Sequence, residues 1–385
     1  MKKVYVFCNH PVPFDHPNGI RMANIGNMLS LLGYQVYLLG ITAKKKTETC
    51  HNAIICKEYA LGHSSGIRGA IQSGKKARDI LRQFIADNGK PDLIVSVLYN
   101  SKPQRFLIRY CKKECVPLIQ SVGEWFDRSA FRGLKGIIKF INNRYSLRVQ
   151  NTNTGNIIAI SSLLNDYYCG KGCNTVLIPT IVNMEEYKGL KHRAIDDKVR
   201  IAYAGTPGKK DYILNAIRAL TLLDAKQREK IELNLYGPEV EQLRALGLSD
   251  ETLSMCGDSL VCHGRIPYAE VKGRIADADF TVLLRPNKRY ANAGFPTKVG
   301  ESMACGTPVI ANLTSDLGKY IIDGQTGFVC ADESSESCAD AFRKVLQMTD
   351  NEIEAMRKTT LEMARNAFDY RVYTDALEAF LQQLQ

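Results

Sequence analysis

The chain has 385 residues, 45% hydrophobic and 24% charged, and its 51 Lys and Arg against 40 Asp and Glu give a formal charge of +11. That length exceeds what one hydrophobic core ordinarily organises, so two globular domains are expected. The charge favours a polyanionic partner: phosphate-bearing substrates, an anionic membrane surface or nucleic acid. With no zinc-finger spacing and no aromatic-basic pattern of an RNA-binding sheet, nucleic acid is the least supported of these, and no nucleic-acid partner is expected. The closest cysteine pairs, Cys111/Cys115 and Cys169/Cys173, are four apart, which is the spacing of neither a zinc ribbon nor a redox dithiol, so the thiols read as reduced and cytosolic. Met1-Lys2-Lys3 leads directly into a β-branched and aromatic run, so neither a signal peptide nor a membrane span is expected and the location reads as cytoplasmic.

In chain order, residues 4–7 read as a strand, 9–19 as a turn-rich loop, 21–32 as a helix stopped by Gly33, and 35–39 as a second strand, together a βαβ unit. Apolar runs at 93–98, 116–121 and 156–160 alternate with helical stretches, the pattern of a parallel sheet covered on both faces. After the run 175–178 and Pro179, a charged stretch at 184–198 has little to bury and suits an interdomain connection. A second series follows, with strands at 199–203, 231–236, 260–262, 280–284 and 308–311 and helices at 268–276 and 297–304. Residues 370–385 read as an amphipathic helix carrying Val372, Leu377, Phe380 and Leu384. The expected fold is α/β, with two doubly wound Rossmann-like domains whose strand ends make a cleft for a two-part substrate.

The most specific motif is Ala293-Gly294-Phe295-Pro296-Thr297-Lys298-Val299-Gly300-Glu301, continuing to Gly306-Thr307-Pro308-Val309-Ile310-Ala311. A glycine-containing loop enters a short helix whose first amides would face an anion, which suits a diphosphate. Glu301, one turn in, could accept two hydroxyl hydrogen bonds, as a carboxylate does on a ribose. This run resembles the donor-binding motif of glycosyltransferase family four, in which two glutamates seven residues apart flank a Gly-Phe-Gly loop. The similarity extends over most of the chain. It implies the GT-B fold, a retaining and metal-independent mechanism, and a nucleotide diphosphate sugar as co-substrate, with a UDP-sugar the expected donor. It also implies that Glu301 binds the ribose. The first glutamate of the motif, which contacts the transferred sugar, is matched by Ala293, and Pro296 replaces the second loop glycine and removes an amide donor. Gly294, Phe295 and Thr297, or the Lys298 ammonium, would then take over those contacts.

The resemblance also implies roles elsewhere. In Gly205-Thr206-Pro207-Gly208-Lys209-Lys210, Lys210 matches the lysine that neutralises the leaving diphosphate, and Thr206 sits where an arginine would be, leaving Lys209 or Arg285 to supply a second cation. Gly19 matches the glycine loop that faces the donor. Gly237, Arg265 and Ile266 match the turns that enclose the base. Glu124 matches an acid or histidine near the reacting carbon, with His10 and His16 as competitors for that role. Asp277-Ala278-Asp279 has the form of a metal-binding DxD but lies where a helix hands over to a strand and reads as structural, so no metal is expected. Residues 1–183 would form an N-terminal acceptor-side domain, 184–198 a linker, 199–368 the donor-binding domain, and 369–385 a helix packing back on the first domain.

From 128 to 148 there are six basic residues and no acidic one. On a helix, Arg128, Arg132, Lys135 and Lys139 share one side, beside an apolar stripe of Phe131, Leu134, Ile138 and Ile141. This suits either a domain-packing helix with a solvated cationic edge or an interfacial helix on anionic lipid at the inner face of a membrane. The activity expected is a hexosyl- or N-acetylhexosaminyl-type transfer to a glycan or lipid-linked acceptor in cell-surface polysaccharide or glycolipid biosynthesis. A nucleotide-sugar epimerase, or a non-catalytic sugar-nucleotide-binding subunit, is the alternative.

Overall fold

The computed structural model describes residues 1–12, 16–42, 47–51, 53–60, 66–128, 131, 133–194, 196–208 and 210–384. Two compact units divide the chain: Met1–Val182 with Tyr370–Gln385, and Asn183–Asp369.

The first unit follows the order β1 (Lys2–Cys8), α1 (Pro17–Leu31), β2 (Tyr34–Thr42), β3 (Thr47–His51), β4 (Ile54–Ala60), α2 (Gly66–Asn88), β5 (Leu93–Val97), α3 (Ser101–Glu114), β6 (Leu118–Val122), α4 (Gly133–Tyr145), α5 (Asn151–Thr154), β7 (Asn156–Ala159), α6 (Ser162–Cys169) and β8 (Asn174–Leu177). Its eight strands lie in the order β3-β4-β2-β1-β5-β6-β7-β8. All neighbours are parallel except the edge pair β3/β4. The central strands β5 and β6 are buried at every position and β1 over its last five, because helices cover both faces, and the polar Ser96 and Gln120 among them hydrogen-bond each other at 2.7 Å. On one face Tyr5, Phe7 and Phe84 meet edge to face, and Tyr5 donates its hydroxyl to the Asn88 carbonyl at 2.8 Å.

Helix α1 starts at Pro17, four residues earlier than the sequence suggests, because Pro at the first helical position has φ preset and His16 caps the end by accepting from Asn18 N at 3.1 Å. Gly19 therefore lies inside the first helical turn, not in the preceding loop. Arg21, buried on the same helix, donates to the carbonyls of Ile178 and Pro179, tying α1 to the chain after β8.

The second unit runs β9 (Val199–Ala204), α7 (Ile213–Thr221), α8 (Ala225–Glu229), β10 (Ile231–Tyr236), α9 (Val240–Ala245), α10 (Asp250–Cys256), β11 (Leu260–Gly264), α11 (Tyr268–Ala276), β12 (Phe280–Leu283), α12 (Arg289–Ala293), α13 (Thr297–Ala304), β13 (Val309–Asn312), β14 (Gly327–Cys330), α14 (Ser335–Val345) and α15 (Asp350–Ala367). Its parallel sheet has the order β11-β10-β9-β12-β13-β14. The stretch 184–198 is counted with this unit: a 3-10 turn at Met184–Tyr187 buries Met184 and Tyr187, and Glu186 pairs with Lys272 at 2.6 Å. The final helix, α16 (Thr374–Gln382), packs in the first unit against β8 and α1, with Leu377 and Phe380 buried and Val372 exposed in the preceding 3-10 turn.

Asp279, the second acid of the DxD triplet, is fully buried and accepts from Arg193 Nη2 at 2.6 Å, Arg357 Nη2 at 2.7 Å and Arg200 N at 2.7 Å. It ties α15 and the segment before β9 to the start of β12. Removing one partner of a buried ionic cluster leaves the others uncompensated. Asp279→Ala is therefore expected to cost about 3–5 kcal/mol in urea unfolding; a loss below about 1 kcal/mol contradicts this reading.

Candidate functional site

In open α/β sheets ligands sit beyond the carboxyl ends of the strands, where the strand order reverses. In the second unit that point is β9, flanked by β10 and β12. The turns leaving β9, β10 and β11 are stitched side by side, with Gly205 N donating to Tyr236 O at 2.8 Å and Gly237 N to Gly264 O at 2.7 Å. Gly205 has φ +146° and Gly237 φ +125°. A Cβ on Gly237 would lie 2.2 Å from Gly205 O, and one on Gly205 would lie 2.4 Å from Lys298 Cε. The two bare backbones are what let a lysine lie across the strand end.

That lysine comes from the first turn of α13. Lys298 Nζ reaches Asp211 Oδ2 at 2.8 Å, and Tyr203 donates its hydroxyl to the same oxygen at 3.0 Å. Arg285 Nε stands 3.9 Å from Asp211 Oδ1. Arg285 is buried and its backbone is fixed by Asn312, which accepts from Arg285 N at 2.8 Å and donates to Arg285 O at 2.7 Å. Burial pushes the Asp211 carboxyl up, but Lys298, Arg285 and the Tyr203 hydroxyl together outweigh it and hold the group below the usual carboxylate range. Charge from α13 and from the residue just past β12, with a hydroxyl from β9, thus converges on one carboxylate in the turn after β9.

Glu301 sits one turn further along α13, half-buried, in a small cavity with Ala202, Tyr203, Ala204, Ile275 and Lys298. Burial raises its pKa, and Lys298 and Lys272 oppose that rise. The structure thus brings Gly205, Gly237, Arg285, Lys298 and Glu301 to one end of the sheet. Lys210 lies half-buried in the turn between Gly208 and Asp211, while Lys209 falls outside the described residues. Thr297 opens α13, and Pro296 precedes it with φ −73° and ψ 112°. Gly294 and Ala293 are buried. Phe295 packs on Tyr320 at 5.5 Å and Phe368 at 5.8 Å, so its ring anchors the loop in the core and any ligand contact is left to its backbone. Ile266 packs half-buried beside Ala202, Tyr236 and Ala278, and Arg265 is exposed. Sequence reasoning passed over Asp211, although it directly follows Lys210, and Asn312; only their tertiary partners reveal them.

The first unit has its own switch point at β1, between β2 and β5. Beyond it a cavity of about 520 Å³ is lined by His10, His16, Tyr99, Asn100, Glu124 and Phe126, among others. All three competing residues of the sequence reading are therefore together. The His10 and His16 rings stack at 3.7 Å. Burial, with the neighbouring His16, lowers the His10 pKa to about 4. Burial also lowers that of His16, and Glu124 opposes the shift. Tyr99 accepts from Gly123 N at 3.2 Å and so fixes the start of the Glu124 loop.

The basic segment differs from its expectation. Gly133 takes φ +65° and the helix begins there, so Arg128 lies outside it, donating to Phe131 O at 2.6 Å. Arg132 and the Lys135 side chain fall outside what is described; Lys139 is exposed on α4. Leu134, Ile138 and Ile141 are also exposed, at 73%, 40% and 60%. Among the described residues no helix is long and apolar enough to cross a membrane.

Residues 188–365 match the family model described as Glycosyl transferases group 1. An uncharacterized glycosyltransferase of Methanocaldococcus jannaschii is 22% identical over 225 residues, 54% of this chain and 53% of that protein, so the match spans about half of the relative's length. Sucrose-phosphate synthase from Thermosynechococcus elongatus superposes with a TM-score of 0.75 at 16% identity, over 100% of this chain and 99% of the other. Anabaena HepE, solved with UDP and glucose, superposes with a TM-score of 0.68 at 14% identity over the full length of both. The fold is that of the GT-B glycosyltransferases.

A depressed histidine pKa has a defined sign: the unfolded chain binds the proton first, so stability present above about pH 6.5 is lost as pH falls toward 4. Histidine-ring NMR is expected to show His10 neutral until about pH 4. Titration of His10 near pH 6.5 contradicts its enclosure.

Proposed function

We infer that this chain, whose second unit belongs to the group 1 glycosyltransferases, moves a sugar from a nucleotide diphosphate sugar to an acceptor hydroxyl with retention of configuration. The observation that carries the reading is the meeting of Lys298, Arg285, the Lys210 turn and Glu301 at the one strand end where an α/β sheet takes its ligand. The diphosphate lies against the start of α13 and draws on the charge that Lys298 otherwise shares with Asp211. Lys210 and Arg285 add to it, and stabilising the departing diphosphate in this way lowers the barrier without a divalent metal. Glu301 accepts the two ribose hydroxyls, and Gly237, Arg265 and Ile266 border the base. UDP is the nucleotide favoured.

In the first unit the His10, His16 and Glu124 cavity receives the acceptor. At neutral pH burial keeps both imidazoles uncharged, so His16, whose Nδ1 accepts from Asn18 N, can orient an acceptor hydroxyl through its Nε2–H while Glu124 takes the proton. Gly19 adds backbone at that end. Ala293 leaves no carboxylate on the transferred sugar, whose contacts fall to the backbone at Gly294 and Phe295. The exposed Leu134, Ile138 and Ile141 beside Lys139 favour a peripheral position on anionic lipid at the cytoplasmic face, which suits a lipid-linked or cell-surface glycan acceptor.

A thermal-shift comparison of UDP, GDP, ADP and CMP is expected to give the largest rise with UDP, about 2.7 kcal/mol of stabilisation at a hundredfold excess over Kd. Absence of a rise with every nucleotide sinks the reading. Lys210→Ala is expected to cut turnover by roughly a hundredfold or more, and near-normal rates remove that role. Replacing Leu134, Ile138 and Ile141 by serine is expected to abolish binding to anionic liposomes; unchanged binding excludes α4 as the lipid contact.

A further inference from the structure

Outside these two sites, a concentration of positive charge lies between α2 and α3. The helices lead into and out of the same strand, β5, between parallel neighbours, so they run side by side in one direction. A Cβ on Gly74 would lie 2.9 Å from the Asn100 side chain, which caps α3, so the two helices start their shared length level with each other. From that point cations recur at helical spacing on facing stripes: Lys75, Arg78 and Arg82 on α2, and Lys102, Arg105 and Arg109 on α3. They line a groove of about 750 Å³. Among the described residues its lining holds one acid, Glu114, which pairs with Lys113 at 3.5 Å at the far end.

The groove has a direction. Lys102 lines both it and the cavity that holds His10, His16 and Glu124. From Lys102 to Lys113 the α3 stripe extends about 16 Å, at about 1.5 Å per residue. A single diphosphate would occupy only one or two of its rungs. Phe106 and Tyr110 contribute aromatic faces to the lining, and Arg82 lies over the Phe106 ring at 5.6 Å. Repeated cations along a line, with aromatic surface between them, match a ligand that repeats its negative charge and presents flat apolar faces.

We propose that this groove binds an anionic oligosaccharide, the acceptor chain, and delivers its end to the His10, His16 and Glu124 cavity. The proposal rests on the transferase reading for the word acceptor, though not for the binding itself. The occupant is distinguished from a lipid surface by the α4 stripe, where Leu134, Ile138 and Ile141 stand exposed at 73%, 40% and 60%, whereas the apolar side chains of the groove lie between two rows of cations.

The test uses the full chain and the variant Arg82→Gln/Arg105→Gln/Arg109→Gln, with melting temperature as a control for folding. Hexagalacturonate, maltohexaose, phosphatidylglycerol vesicles, a single-stranded oligonucleotide and UDP are titrated into each. Hexagalacturonate is expected to bind the wild type, weaken with added salt, and bind the variant at least tenfold less tightly, with maltohexaose weak and UDP affinity unchanged. The proposal is overturned if hexagalacturonate does not bind, if the variant binds it equally well, or if vesicles or oligonucleotide bind tighter and are the ligands that the substitutions release. UDP separates the two claims: hexagalacturonate binding without nucleotide binding leaves the groove and removes the transferase reading, and the reverse leaves the transferase and removes the groove.

Discussion

Asp211 is a half-buried carboxylate that receives charge or hydrogen bonds from three separate elements, and the carboxyl end of the second unit's sheet is organised by it. Without Asp211, Lys298 and Arg285 would repel each other at a strand end where neither is fully solvated. With it, the lysine folds back over Gly205, the arginine stays buried beside Asn312, and the Tyr203 hydroxyl has its acceptor. The glycines at 205 and 237 are the steric side of the same constraint, since a Cβ at either would strike the lysine or the neighbouring backbone. An anionic ligand arriving there meets cations already held in place, so little side-chain ordering remains to oppose binding.

The first unit solves a different problem with similar means. Two stacked imidazoles under one loop would be costly if both were charged, and burial keeps them neutral. Neutral imidazoles beside a carboxylate make a proton-accepting cavity, where the second unit offers a cationic one. That division of electrostatic labour matches a transfer in which one substrate leaves as an anion and the other gives up a proton.

Much of this was legible in the sequence because parallel strands buried on both faces write uninterrupted apolar runs, and helices 268–276 and 297–304 sit where their spacing places them. Strands β3 and β14 escaped for identifiable reasons. β3 is a polar edge strand, Thr47 to His51, and β14 has four residues and opens on a glycine. Arg128, Phe131 and Arg132 continue the spacing of the basic helix in the sequence, but Gly133, with φ +65°, breaks it, and the helix starts there. The turn-forming residues around Gly19 read as a loop, yet Pro17 starts the helix before it. Of the residues at that strand end, Lys298 and Glu301 stand in a recognisable motif, but Asp211 meets Lys298 across 87 positions, a pairing that no local pattern encodes.

The central claim is that Glu301 grips the ribose while the cations beside it grip the diphosphate. Titrating wild type and Glu301→Gln with UDP and with inorganic pyrophosphate separates the two halves. The account predicts that the substitution weakens UDP by about tenfold, on the order of 1.4 kcal/mol, and leaves pyrophosphate affinity unchanged. Equal loss for both ligands, or for neither, would contradict it.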